Sequence, residues 1–468
     1  MRYVSTRGKA PALGFEDTML AGLARDGGLY VPETVPTFEA GDIAAMAGLP
    51  YEEVAVRVMA PFVADAFDEA ALAEMVADAY RGFGHPARAP LRQIGPDAFL
   101  LELFHGPTLA FKDFAMQLIG RMFDRVLRRR GERVAIVGAT SGDTGSAAIE
   151  AFAGAEAADV FILYPHGRVS EVQRRQMTTP AAANVHALAV DGHFDDCQAR
   201  VKDMFNHHAF RDRVGLAGVN SINFARVLAQ VVYYFTAATS LGAPHRAVSF
   251  AVPTGNFGDV FAGHLARRMG LPIDRLVVAT NRNDILHRAL TAGEYRVGEV
   301  HPTISPSMDI QVSSNFERAL HLAYGGDGGA VAQLMEEQRG GGFRISQGAL
   351  EALREVYRSG RATEAETRAA IRAALETAGE LVCPHTAVGL HVAAAKGGAG
   401  PLVTLATAHP AKFPDAVEAA TGVRPPLPPR LADLMDRPER VTRVANDRGA
   451  IERLIEDRRG DDGGRRAA

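Results

Sequence analysis

From Lys112 onward, helical blocks alternate with short apolar runs rich in β-branched residues, with glycines at many of the junctions, and this alternation restricts the fold more than any other feature. Phe114, Leu118, Ile119, Met122, Phe123 and Val126 recur at helical spacing and stop at Gly131, a natural C-cap. A β-branched run over 134–137 follows and ends at Gly138. The cycle continues with a helix near 146–153, a strand over 160–164, a helix around 170–177 and a strand over 185–190. Next come a helix over 195–206, an extended 214–219 and a long apolar helix over 224–239. A second series has a strand at 248–252, a helix at 260–269 and strands at 276–279 and 402–407. Strands that read as unbroken apolar runs are buried on both faces, so the pattern predicts an α/β protein with mostly parallel sheets.

A chain of 468 residues exceeds one simple core, so several domains are expected. Pro86, Pro90 and Pro96 mark a boundary after an Ala-rich, Pro-punctuated beginning that includes a helix over 68–80. We therefore expect an N-terminal domain over 1–93 and a large α/β domain from 94–113 and 235–445. A small α/β domain over 114–234 and a charged tail over 446–468 complete the division. The stretch 291–345, with Gly325-Gly326 and Gly340-Gly341-Gly342, reads as mobile loops, and 457–468 as a frayed end.

Lys plus Arg number 51 against 55 Asp plus Glu, so no global field steers the chain to nucleic acid or an anionic membrane. Cys197 and Cys383 are the only cysteines, which excludes a disulfide framework, lacks zinc-site spacing and fits a reducing compartment. No apolar run approaches the ~18–20 residues of a spanning helix. A cytoplasmic protein with small-molecule ligands and no metal is the expectation.

Four segments can carry chemistry. In Phe104-His105-Gly106-Pro107-Thr108-Leu109-Ala110-Phe111-Lys112-Asp113, a lysine enters an apolar helix behind a Gly-Pro turn. Partial desolvation there favours the neutral amine a Schiff base needs, although a solvated helix-entry lysine has the same local pattern. Gly138 to Ser146 joins a strand to a helix with more hydroxyls than one cap requires, and suits a carboxylate. Pro253-Thr254-Gly255-Asn256-Phe257-Gly258-Asp259 makes a similar junction, where two glycines let backbone wrap a phosphate. Asn220-Ser221-Ile222-Asn223-Phe224-Ala225-Arg226 opens the long apolar helix; either asparagine suits an N-cap, and Arg226 opposes the helix dipole unless an anion sits beside it. Cys383-Pro384-His385-Thr386 and Thr407-Ala408-His409-Pro410-Ala411-Lys412-Phe413 are further polar clusters whose histidines read equally well as caps.

Taken in order, these motifs resemble those of the longer threonine synthases, from Gly27-Gly28-Leu29-Tyr30-Val31-Pro32 to His409-Pro410-Ala411-Lys412-Phe413. The resemblance implies a fold-type-II pyridoxal-phosphate enzyme, a lyase of amino-acid biosynthesis whose two α/β domains clamp pyridoxal 5'-phosphate. It assigns Lys112 as the covalent cofactor carrier, with Gly255, Asn256, Phe257 and Gly258 at the cofactor phosphate, Asp259 closing that segment, and Thr407 at the pyridine nitrogen. It assigns Thr140, Ser141 and Thr144 to the substrate carboxylate, and Asn220, Ser221 and Arg226 to the substrate phosphate. Asp143 stands beside the cofactor where wider relatives carry Asn. The implied reaction takes O-phospho-L-homoserine and water to L-threonine and phosphate, with Lys112 as base. A phospho-lyase releasing 2-oxobutyrate, or a non-catalytic cofactor-binding protein, would share most of these motifs.

Overall fold

The computed structural model describes residues 1–396, 398 and 400–465. The chain divides into two compact units, one of Met1–Ala115 and Ser221–Pro426, the other of Met116–Asn220 and Leu427 onward.

The larger unit is built on a six-stranded sheet in the order Tyr357–Arg361, Ile273–Thr280, Val248–Pro253, Leu402–Ala406, Ala98–Glu102, Leu91–Gln93. The first five strands are parallel, and Leu91–Gln93 closes one edge antiparallel. Val248–Pro253 is buried along its whole length, as a central parallel strand covered on both faces must be. The apolar helix Phe224–Ser240 lies inside this unit, packed on the helices Gly258–Arg268 and Tyr51–Val63. Fifteen of its residues are buried, which explains why it reads as apolar on every side.

That packing also groups the chain differently from the predicted domains. Residues 221–234 belong with the larger unit because the helix they open is clasped there, and the N-terminal stretch supplies one of its neighbours. A two-stranded antiparallel pair, Tyr3–Ser5 with Tyr30–Pro32, starts the chain. The helix Glu69–Tyr80 begins where expected, with Asp68 accepting the Ala71 amide.

The smaller unit has a fully parallel sheet ordered Thr442–Val444, Val185–Val190, Ala158–Pro165, Val134–Ala139, Leu216–Ala217. Its edge strand Thr442–Val444 comes from the stretch assigned by sequence to the large domain. The expected extended run over 214–219 shrinks to Leu216–Ala217, since Val214 ends the helix His208–Val214. The charged end is no frayed tail through Arg465: it forms the helix Arg448–Arg465, anchored by Ile451 and Ile455 in the core of this unit. Residues 466–468 lie outside the described residues. The stretch 291–345 is likewise ordered into the helices Phe316–Ala323 and Gly328–Arg339 and the pair Glu294–Arg296 with Gly342–Arg344.

Candidate active site

Three neighbouring strands of the larger sheet, Val248–Pro253, Leu402–Ala406 and Ala98–Glu102, are parallel, so their carboxyl ends meet along one edge. The segment Gly255 to Asp259 leaves the first, Thr407 the second, and the loop leading to Lys112 the third. Such an edge is where open α/β sheets bind ligands. Three motifs remote in sequence are thereby made neighbours by topology alone.

Backbone hydrogen bonds then lock two of them together. Phe111 N–H donates to the Thr407 carbonyl at 2.9 Å, and His409 N–H donates to the Leu109 carbonyl at 3.0 Å. Leu109 itself is in the left-handed region at φ 63°, the turn that brings the chain to the helix Lys112–Arg130. Asp113, fully buried in the first turn, accepts the Thr108 amide at 2.8 Å and the Thr108 hydroxyl at 2.6 Å. Gly106 is required beneath it, because a Cβ there would lie 2.4 Å from that of Asp113.

The chain has five lysines, which narrows the choice of amine. Lys9, Lys202 and Lys396 are exposed. Lys412 is fully buried with its Nζ donating to the Thr108 carbonyl at 2.7 Å, so it is committed to holding the loop. Lys112 is half-buried, its Nζ 4.7 Å from the centre of the Phe111 ring.

The segment after Pro253 forms a tight cradle at the start of the helix Gly258–Arg268. A Cβ on Gly255 would sit 2.8 Å from the Ser307 carbonyl oxygen. Phe257 adopts φ 64°, a strained conformation for a non-glycine residue, held by ring contacts with Phe316 and Tyr357 at 5.1 and 5.2 Å. Ser313 Oγ donates to the Gly255 carbonyl at 2.7 Å, and Asn315 donates through its backbone amide and Nδ2 to the Asn256 carbonyl at 3.0 and 2.9 Å. With these carbonyls turned outward, the following amides of a helix N-terminus are left to meet an anion.

Asp259 is deeply buried in the same turn. Tyr233 and Tyr234 hydroxyls donate to its Oδ1 at 2.6 and 3.1 Å, while its Oδ2 has no hydrogen-bond partner among the described residues. Burial pushes this carboxyl up to about 6, against the two tyrosine hydrogen bonds and the Lys112 charge, which pull it down. The carboxyl thus faces the two tyrosines of the long apolar helix.

In the stretch before the long apolar helix, Asn223 is the N-cap, accepting the Ala225 amide at 3.1 Å and donating to the Met19 carbonyl at 2.7 Å. Ser221 Oγ lies 3.3 Å from Ser314 Oγ. Arg226 is buried in the first helical turn, and desolvation lowers its guanidinium to about 10. An anion beside it would restore the charged form's advantage.

In the smaller unit, the strand Val134–Ala139 runs into the helix Asp143–Phe152 through the hydroxyl-rich turn. Thr140 Oγ1 accepts the amides of Gly142 and Gly145, each at 2.9 Å, so this hydroxyl shapes the turn while its own hydrogen can still donate. Ser141 and Thr144 are partly exposed on it, and Asn220 is exposed at the end of this unit's first segment. Asp143 is buried, with Gln173 Nε2 donating to its Oδ1 at 2.9 Å.

Several contacts escaped sequence reading: those of Asp113 and Lys412 with Thr108 inside the quoted motifs, Asn315 behind the cradle, and Gln173 on Asp143. His385 proves to be an acceptor for the Ser307 amide at 3.1 Å, and His409 caps the turn at Ala411. Among the described residues no group of three or more His, Cys, Asp or Glu side chains could hold a metal, and no helix is long and apolar enough to cross a membrane.

Comparison with known proteins places these features in a lineage. Residues 2–80 match the family model of the threonine synthase N terminus, 85–339 that of pyridoxal-phosphate dependent enzymes, and 386–455 that of the threonine synthase C-terminal region. A threonine synthase of Pseudomonas aeruginosa is 53% identical over 459 residues, covering 97% of this chain and 98% of its own. The crystal structure of a PLP-bound threonine synthase from Brucella melitensis is similar at a TM-score of 0.96 and 57% identity, covering 98% of this chain and 99% of that one. The yeast threonine synthase structure gives 0.93 at 36% identity with the same coverage.

Proposed function

The chain belongs to the threonine synthase family of fold-type-II pyridoxal-phosphate enzymes, and on that premise we propose how its residues divide the work. The reaction is elimination of phosphate from O-phospho-L-homoserine and addition of water, giving L-threonine. The chain is accordingly a lyase of amino-acid biosynthesis.

The donor set fits the cofactor. Lys112 supplies the amine that holds it, Gly255, Asn256, Phe257 and Gly258 supply the amides at a helix N-terminus for its phosphate, and Thr407 supplies a hydroxyl for the ring nitrogen. The crowding of Gly255 against Ser307 supports the cradle, since only a residue without a side chain brings backbone this close. Bound there, the cofactor supplies an electron sink that makes the substrate's Cα and Cβ protons removable.

The chain's own residues do the rest. Thr140, Ser141 and Thr144 hold the substrate carboxylate, with Asp143 fixed behind them by Gln173. Asn220, Ser221 and Arg226 hold the substrate phosphate. Lys112, displaced by the substrate amine, takes the Cα proton. Loss of a Cβ proton expels phosphate from Cγ and Arg226 retains the departing anion; the two protons withdrawn return at Cγ and Cα, while water adds its hydroxyl at Cβ and yields its proton to the phosphate. Lys112 then regains its bond and frees threonine. A cytoplasmic setting fits the two buried cysteines, Cys197 and Cys383, neither of which is in a disulfide.

The observation that carries this reading is the pairing of the Lys112 loop with Thr407 at the shared end of three parallel strands. Turnover of O-phospho-L-homoserine, with threonine, 2-oxobutyrate and phosphate all quantified, tests it. Threonine equimolar with phosphate is expected; 2-oxobutyrate as the product would make the chain a phospho-lyase instead.

A further inference from the structure

Among the described residues Arg318 is the largest fully buried side chain, and its guanidinium donates to backbone carbonyl and side-chain amide oxygens rather than to a carboxylate. Its Nε and Nη2 donate to the Tyr30 carbonyl at 3.0 and 2.9 Å, Nη2 also donates to the Ile222 carbonyl at 2.6 Å, and Nη1 donates to Asn315 Oδ1. Its neighbour Glu317 is turned to Arg7 and Thr6. A cation placed in the interior on carbonyl dipoles is costly, and burial lowers its pKa to about 9.

What it orients follows from the planarity of the peptide. Donation to Asn315 Oδ1 fixes which way that amide faces, so Nδ2 must point to the Asn256 carbonyl at 2.9 Å and the Ser221 carbonyl at 3.1 Å. In a trans peptide the carbonyl and the next N–H point oppositely. Holding the Asn256 carbonyl therefore aims the Phe257 amide, holding that of Ser221 aims the Ile222 amide, and holding that of Ile222 aims the Asn223 amide. The first belongs to the cradle for the cofactor phosphate and the other two to the stretch for the substrate phosphate.

We propose that Arg318 is a positioning residue for both anion sites: with Asn315 it sets the peptide planes of the two loops, and through Tyr30 it ties them to the N-terminal segment. The inference rests on the assignment of these loops given above. It gives the N-terminal segment a role in catalysis, because displacement of Tyr30 releases two of the guanidinium's four hydrogen bonds and loosens both sites together.

The test measures two binding constants in Arg318→Met and Arg318→Lys: that of pyridoxal phosphate for the cofactor-free protein, by fluorescence, and that of inorganic phosphate as inhibitor of the loaded enzyme. Both should weaken by about tenfold or more, with KM for O-phospho-L-homoserine rising alongside and the loss shared by the lysine variant, whose single ammonium cannot reproduce the fork. Tyr3→Phe, which removes the bond from Tyr3 to the Phe62 carbonyl, serves as the control for simple destabilisation of the N-terminal segment. If the Arg318 variants lose thermal stability as Tyr3→Phe does but keep both constants, the proposal is overturned. Should Arg318→Met fail to fold, the lysine variant reads the same two constants. Wild-type protein that bound no pyridoxal phosphate would overturn the underlying assignment as well, whereas wild-type binding with unaltered variants overturns this proposal alone.

Discussion

Asp113 Oδ1 accepts the hydroxyl of Thr108 at 2.6 Å while its Oδ2 accepts the amide of the same residue at 2.8 Å. One buried carboxylate thus closes the turn that delivers Lys112. The clamp is completed by Lys412, which holds the Thr108 carbonyl.

Asp113→Ala should therefore act at a distance of one residue on Lys112. Losing a buried acceptor and stranding two donors costs about 3 kcal/mol. Urea unfolding should show that loss, and the fraction of protein carrying covalently bound cofactor should fall with it. Wild-type stability in this variant would mean the turn is held by other contacts.

Gly255→Ala is expected to abolish tight cofactor binding with little change in secondary structure. The added Cβ meets a backbone carbonyl, Ser307 O, which cannot swing aside as a flexible side chain would. Equilibrium dialysis with pyridoxal phosphate measures the effect; unchanged affinity would remove Gly255 from the cradle.

The alternation of strand and helix, and a cap such as Asn223, were legible because each depends on residues within a turn of one another. So were the places of Lys112 at a helix start and of Gly255 and Thr407 just after strands. The partners of these residues were not legible. Asn315 and Arg318 lie in a stretch that reads as irregular, and Lys412 meets Thr108 only because two parallel strands end side by side. The same limit explains the helix at Arg448–Arg465, whose charged sequence hides an Ile451–Ile455 stripe that needs the smaller sheet to bury it. Thr140, read from its hydroxyl as a ligand, also accepts two amides of its own turn, a dependence visible only once the turn is folded.

Asp259 has a pH signature with a definite sign. Its folded pKa is raised to about 6, above the ordinary carboxyl value, so its contribution to stability is fully present below the unfolded pKa and is lost as pH rises through about 6. The loss is on the order of 3 kcal/mol. Relative to Asp259→Asn, which keeps an acceptor for Tyr233 without the charge, the wild type should become less stable between pH 4 and about pH 7. Thermal melts of both proteins across that range should diverge in this direction; parallel curves would show that Asp259 stays ionised throughout.

Arg226→Ala should lower kcat/KM for O-phospho-L-homoserine by roughly 100-fold or more, as expected for removal of a buried charge that pairs with a ligand anion. Inhibition by inorganic phosphate should weaken in step, while cofactor affinity stays the same. Steady-state kinetics with unchanged KM and unchanged phosphate inhibition would assign the substrate phosphate elsewhere.

The central claim is that Lys112, and no other of the five lysines, carries the cofactor. Borohydride reduction of the loaded protein, followed by peptide mass mapping, tests it most directly by making the linkage permanent. The pyridoxyl-phosphate mass should appear on the peptide containing Lys112 and be absent from Lys112→Ala. The same mass on the Lys412 peptide, or a variant still labelled in full, would contradict the account.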